Sequence, residues 1–126
     1  MNMLAAFSGY SSSDIPACKT FYSDVLGLTC EDSMGGIGFK VNGHQVFIYP
    51  KDDHTPATFT VLNLVVPNID VAIDELMAKN VTFLRYDNLP AEQDSRGVLR
   101  GKDAGMGPNI AWFEDPSGNI LALVEE

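Results

Sequence analysis

The chain has 126 residues, with 17 acidic and 8 basic side chains and a net charge of -9, and a length near 126 residues suffices to bury about two thirds of the unfolded surface in one core. With 45% hydrophobic and 20% charged residues, 11 Gly and 7 Pro, it falls inside globular limits and outside the collagen-like, coiled-coil and disordered classes. So acidic a surface repels polyanions, which excludes nucleic acid and anionic membrane as expected partners and favours a small-molecule ligand.

Taken in order, Leu4 to Ser11 reads as a strand. Asp14 then offers a helix cap with Pro16 in the first turn, and Ala17, Phe21 and Val25 recur at fours until Gly27 ends the helix. The two cysteines, Cys18 and Cys30, are too few for a disulfide framework and lack a CxxC spacing, so both are expected as free thiols. Gly36 to Val41 alternates by twos, Asn42-Gly43 is a type I′ turn signal, and His44 to Tyr49 returns as the hairpin partner. Lys51-Asp52-Asp53-His54 reads as a solvated loop, since no regular spacing puts its donors on one face.

Thr58 to Val66 is β-branched and reads as a strand. Asn68 caps a second helix with Ile69, Ala72, Ile73, Leu76 and Met77 on one face, and Asn80 terminates it. Val81 to Tyr86 reads as a further strand. Asp87 to Pro108 is long and polar, a lid candidate or an idle surface loop. Ile110 to Phe113 and Ile120 to Val124 form a second hairpin across Asp115-Pro-Ser-Gly-Asn119. No apolar run reaches the ~18 residues of a membrane span, and Met1 to Phe7 has no basic flank, so a cytoplasmic location is expected.

A strand entering a capped helix occurs twice, at Phe7 to Asp14 and Val61 to Asn68. The chain thus repeats one unit, strand, helix and three strands, with module 1 at about 1–56 and module 2 at about 57–126. The fold class expected is α+β.

Phe21-Tyr-Ser-Asp-Val-Leu-Gly-Leu28 and Trp112-Phe-Glu-Asp-Pro-Ser-Gly-Asn-Ile-Leu-Ala-Leu-Val-Glu125 resemble the vicinal oxygen chelate superfamily of glyoxalase I, bleomycin resistance proteins and extradiol dioxygenases. The resemblance implies two βαβββ modules forming an incomplete barrel around a central cavity, in a protein that is commonly a homodimer. It also implies where relatives hold a divalent metal. The first and third ligand positions fall on Phe7 and Val61, the fourth on Ala122, and the second on Phe47 or Tyr49. Phe, Val and Ala side chains have no lone pair to donate. Neither metal nor cofactor is therefore expected, and no catalytic residue can be assigned.

The expected function is binding of a small, partly apolar organic molecule between the modules, as bleomycin resistance relatives act by sequestration. The lining residues are Phe7, Phe47, Tyr49, Val61, Asn63, Arg85, Trp112 and Ala122. Alternation places Asn63 with Val61 on the inner face, as a polar group in an apolar cavity, and Arg85 either lines the cavity or pairs with an acid such as Asp87. One alternative is a metal-dependent lyase or dioxygenase with non-standard ligands such as Asp52, His54 or Glu114. Another is a filled scaffold with no pocket of ligand size.

Overall fold

In a computed structural model covering residues 1–126, both helix caps form as their side chains dictate. Asp14 accepts a hydrogen bond from Ala17 N at 3.1 Å, and Asn68 accepts one from Val71 N at 3.1 Å, each satisfying a donor that the first helical turn leaves open. The chain divides into two units, Met1–Pro56 and Ala57–Glu126.

The first unit runs β1 (Ser8–Ser12), α1 (Ile15–Thr20), a π-helical turn (Phe21–Val25), β2 (Glu31–Ser33), β3 (Gly36–Val41) and β4 (His44–Pro50). Its sheet has the order β1-β4-β3-β2, with β1 parallel to β4 and the other pairs antiparallel. Asn42 and Gly43 both have positive φ, as a type I′ turn between β3 and β4 requires. Tyr10, Ile37, Phe39, Val46 and Ile48 alternate onto one face and are buried with Cys18 and Tyr22. There the Tyr22 ring stacks on Phe39 at 5.2 Å, and its hydroxyl shares a 2.7 Å hydrogen bond with that of Tyr10, so neither buried phenol lacks a partner. Residues 4–7, expected to open the first strand, lie outside it: the pairing of β1 with β4 begins at Ser8 opposite Val46.

The second unit repeats the plan with β5 (Thr60–Val65), α2 (Ile69–Met77), β6 (Leu99–Arg100), a short α3 (Gly101–Ala104), β7 (Asn109–Glu114) and β8 (Ile120–Glu125). Its order, β5-β8-β7-β6, and its strand directions match those of the first sheet. Leu62, Ala111, Phe113, Leu121 and Leu123 form the buried face with Ile69, Ile73 and Leu76 of α2. Glu125 at the end of β8 accepts a bond from Ile69 N at 2.9 Å, so the sheet itself supplies a carboxylate to the start of α2. The fold is α+β, built from two modules whose four-stranded sheets both stay open.

Two expectations for this unit need correction. Val81 to Tyr86 is not a strand, although Leu84 N donates to Trp112 O at 2.8 Å. The reason is Gln93: its amide donates to Leu84 O at 2.9 Å and Gly97 O at 2.6 Å, and its Oε1 accepts from Tyr86 N at 2.7 Å. One side chain thus takes the main-chain groups that a neighbouring strand would otherwise satisfy. The second strand of the module is instead the two-residue β6, inside the stretch read as a loop.

That stretch is also tied down. Asp94 accepts bonds from Arg96 N, Val98 N and Arg100 Nε, all at 2.9 Å. Arg100 reaches Asp70 of α2 through two nitrogens at 2.8 and 3.1 Å, and Arg96 pairs with Asp70 and Asp74. Residues 94–100 are therefore clasped to α2 by a five-residue ion network, which is worth more than isolated surface pairs because each guanidinium is shared.

Candidate functional site

On the face of the first sheet turned away from Tyr22, the register places Gly9, Phe47, Gly38 and Glu31 in one row across β1, β4, β3 and β2. The two glycines leave bare backbone on either side of the Phe47 ring. Phe47, Gly38 and Glu31 of this row line a cavity of about 490 Å³, bounded also by Phe7, Lys40 and Gln45, a volume within the range of small-molecule sites. Gln45 donates its amide to Phe39 O at 3.2 Å and Val46 O at 2.9 Å, which leaves its Oε1 as an acceptor. Lys19, Lys51, Arg96, Arg100 and Lys102 are all in ion pairs. Lys40 is in none, although the chain has an excess of acids.

Tyr49 continues this face, its ring centroid 6.2 Å from that of Phe47. In the Tyr49 row, Ser11 Oγ lies 2.6 Å from His54 Nδ1, and at the other end of β1 Ser8 Oγ lies 2.9 Å from His44 Nε2. The His44 imidazole has no carboxylate at hydrogen-bond distance, so the Ser8 pair builds no acid-base triad.

In the second unit, Asn63, Ala122 and Trp112 form a matching row across β5, β8 and β7. Ala122 is fully buried, whereas Asn63 is exposed. A register shift between Thr60 and Leu62 takes Val61 out of the alternation that was expected to align it with Asn63. Trp112 meets Tyr86 edge to face at 5.3 Å, and burial pushes the Tyr86 phenol up, with Glu114 adding to the effect. Arg85 lies elsewhere. It lines a cavity of about 400 Å³ with Met77, Phe83 and Arg96, and it donates to the main-chain oxygen of Asp94 at 2.7 Å rather than pairing with Asp87.

The expected lining residues therefore fall into separate groups: Phe7, Phe47 and Tyr49 in one unit, Asn63, Ala122 and Trp112 in the other, with Val61 at a bulge and Arg85 at a different cavity. Sequence reasoning missed Lys40, Glu31 and Gln45. A usable signal was present in Gly36-Ile-Gly-Phe-Lys40, where glycines at alternate positions mark a strand face cleared of side chains opposite the buried Ile37 and Phe39.

The residues expected at the superfamily's metal positions do not fit a metal. Phe7, Val61 and Ala122 offer no donor atom, Phe47 none, and Tyr49 only a phenol. Nowhere do three His, Cys, Asp or Glu side chains gather in a metal-binding arrangement, so Asp52, His54 and Glu114 do not form a substitute set. In the ion network, the Arg100 guanidinium beside Asp70 holds that carboxyl below its usual range. Burial works to raise Asp94, but the Val98 N–H and Arg100 outweigh it and hold Asp94 low as well.

No protein-family model and no curated protein matches the sequence. Solved structures do. A glyoxalase family protein from Bacillus anthracis superposes with a TM-score of 0.68 at 18% identity, over 100% of this chain and 98% of that one. A genomically encoded fosfomycin resistance protein from Listeria monocytogenes gives 0.69 at 13% identity, over 100% and 95%. An antibiotic-binding protein from a Streptomyces species gives 0.65 at 18% identity, over 98% of each chain. At these identities the likeness is one of fold. Together with the two βαβββ-type modules and their matching strand orders, it establishes that the chain has the vicinal oxygen chelate fold.

Proposed function

We propose that this protein is a metal-independent binder of a small, partly apolar organic molecule. The observation that carries the reading is the aromatic-floored cavity on the first sheet, where Phe47 stands between two glycines of its row and Phe7 adds a second ring; Phe7 and Phe47, which the resemblance puts at metal positions, have no donor to offer an ion. Phe7 and Phe47 supply planar apolar contact, while Lys40 and Glu31 give a charged group of either sign a partner. The antibiotic-binding Streptomyces protein of the same fold is in keeping with this. We further propose that the protein is a homodimer, since Met3, Leu4 and Phe7 of one unit and Phe59 and Val65 of the other are 63% exposed or more. A mass measured by light scattering at twice 13.7 kDa is expected, and a monomer at all concentrations would remove this element. Two free cysteines, one of them buried, suit a reducing compartment such as the cytoplasm, and no helix is long and apolar enough to cross a membrane.

The uncharged fluorophore N-phenyl-1-naphthylamine tests the cavity. Saturable binding at one site per chain is expected, and Phe47→Ala should weaken it about tenfold by removing the ring that floors the site. Unchanged affinity in the variant would show that this cavity is not the binding site. Elemental analysis after exposure to Ni, Zn, Mn and Fe salts is expected to find no stoichiometric metal. Retention of one ion per chain through gel filtration would overturn the metal-independent reading.

A further inference from the structure

We infer that the second unit carries a separate site for a small organic monocarboxylate, in the groove between α2 and the 81–97 segment. This groove is the cavity of about 400 Å³ that Arg85 lines. Phe83 packs edge to face on Phe113 at 5.8 Å. Phe113 belongs to the buried face of the sheet, and Trp112 to the alternate one, so the groove opens on the α2 side.

Three features specify the ligand. The first is Arg85. The 2.7 Å bond from one terminal nitrogen to Asp94 O anchors the guanidinium to the main chain without neutralising it, since no carboxylate pairs with it. Its remaining N–H groups are free to form the two-point contact that a carboxylate accepts. In a chain with 17 acids, an arginine left unpaired at the rim of a cavity is a local positive site. The second is the charge around the lining: Arg96 is taken up by Asp74 and Asp70, so Arg85 is the lining cation left for an anion. The nearby carboxylates of Asp70, Asp74 and Asp94 repel a ligand of higher negative charge than a monoanion. The third is the wall. Met77, Val81 and Phe83 give the body of the ligand an apolar surface, and the Thr82 and Ser95 hydroxyls, which bond to nothing else in the chain, flank it. A carboxylate on a compact apolar or aromatic body matches all three.

The test is a titration of the full chain followed by 1H-15N correlation NMR, with benzoate, its neutral isostere benzamide, and inorganic phosphate as probes. Benzoate should shift the Thr82, Arg96 and Gly97 amides saturably, benzamide should bind at least about tenfold more weakly, and phosphate should shift them no more than benzamide does. Arg85→Gln should reduce benzoate affinity at least about tenfold while leaving N-phenyl-1-naphthylamine binding at the Phe47 cavity unchanged. Because Arg85 also steadies the loop, Met77→Glu serves as a second variant. It alters an exposed α2 side chain and sets a like charge against the ligand, so it too should weaken benzoate. Benzoate shifts absent from these amides, equal binding of phosphate, or unchanged affinity in both variants would each overturn the inference. None of these results bears on the other cavity.

Discussion

Gly36→Ala is expected to cost about 3 kcal/mol or more of folding stability, whereas Gly9→Ala, on the same face of the same sheet, should cost under about 1 kcal/mol. Met34 and Gly35, both at positive φ, turn the chain from β2 into β3, and Gly36 is the first residue after the turn. Its own φ is not positive, so the backbone conformation would suit alanine. The obstacle is space. A methyl group on Gly36 would be driven into Ile48 O, with Ile48 C and Tyr49 Cα also at 3.1 Å. These are main-chain atoms of β4, which is bonded to β1 on one side and β3 on the other, so they cannot retreat without breaking a ladder. At Gly9 the nearest atom is Phe47 O at 3.3 Å, a contact that a shift of a few tenths of an ångström relieves. Urea unfolding followed by far-UV circular dichroism separates the two cases. Equal midpoints for the two variants would mean that β3 and β4 can part at little cost.

The same contrast between near and distant chemistry governs what could be read beforehand. Asp14, Asn68 and Asn42-Gly43 act on backbone within a few residues of themselves, so their roles follow from residue type and spacing alone, and the structure shows all three. Gln93 acts across 7 and 9 residues on Tyr86 and Leu84, and nothing in its neighbours announces that it will replace a strand. The network of Asp70, Asp74, Asp94, Arg96 and Arg100 spans up to 30 residues, and its members look like ordinary solvated charges in sequence. The Phe47 cavity lies between these extremes. Its floor depends on the register of four strands, which bring Gly9 and Gly38 to either side of one ring, yet half of that arrangement was already written in the alternating glycines of β3. Arg85 lies outside what local pattern can place: Gln93 takes up the main-chain groups of Leu84 and Tyr86, so no strand alternation sets its direction.

Asp115→Ala should destabilise the protein by about 3 kcal/mol or more, and Asp115→Asn by less. Asp115-Pro-Ser-Gly-Asn119 belongs to the stretch that carries the resemblance to the superfamily, and its chemistry here is structural. Asp115 is only 5% exposed. One oxygen accepts from Ser117 N at 2.8 Å and Asn119 N at 3.0 Å, and the other accepts from Asn119 Nδ2 at 3.0 Å. Gly118, at φ +79, closes the loop, and Asp115 N donates to Asn119 O at 2.9 Å. Alanine would strand three donors in a site with little access to water, and each unpaired buried donor costs roughly 1–3 kcal/mol. Asparagine keeps one oxygen for the two main-chain donors, but sets an amide against Asn119 Nδ2. The turn joins β7 to β8, the two inner strands of their sheet, so its loss propagates to Ala111, Phe113 and Leu121 in the core. Denaturant titration of both variants gives the measurement. The order wild type, asparagine, alanine is expected, and an alanine variant as stable as wild type would show that water already serves these donors.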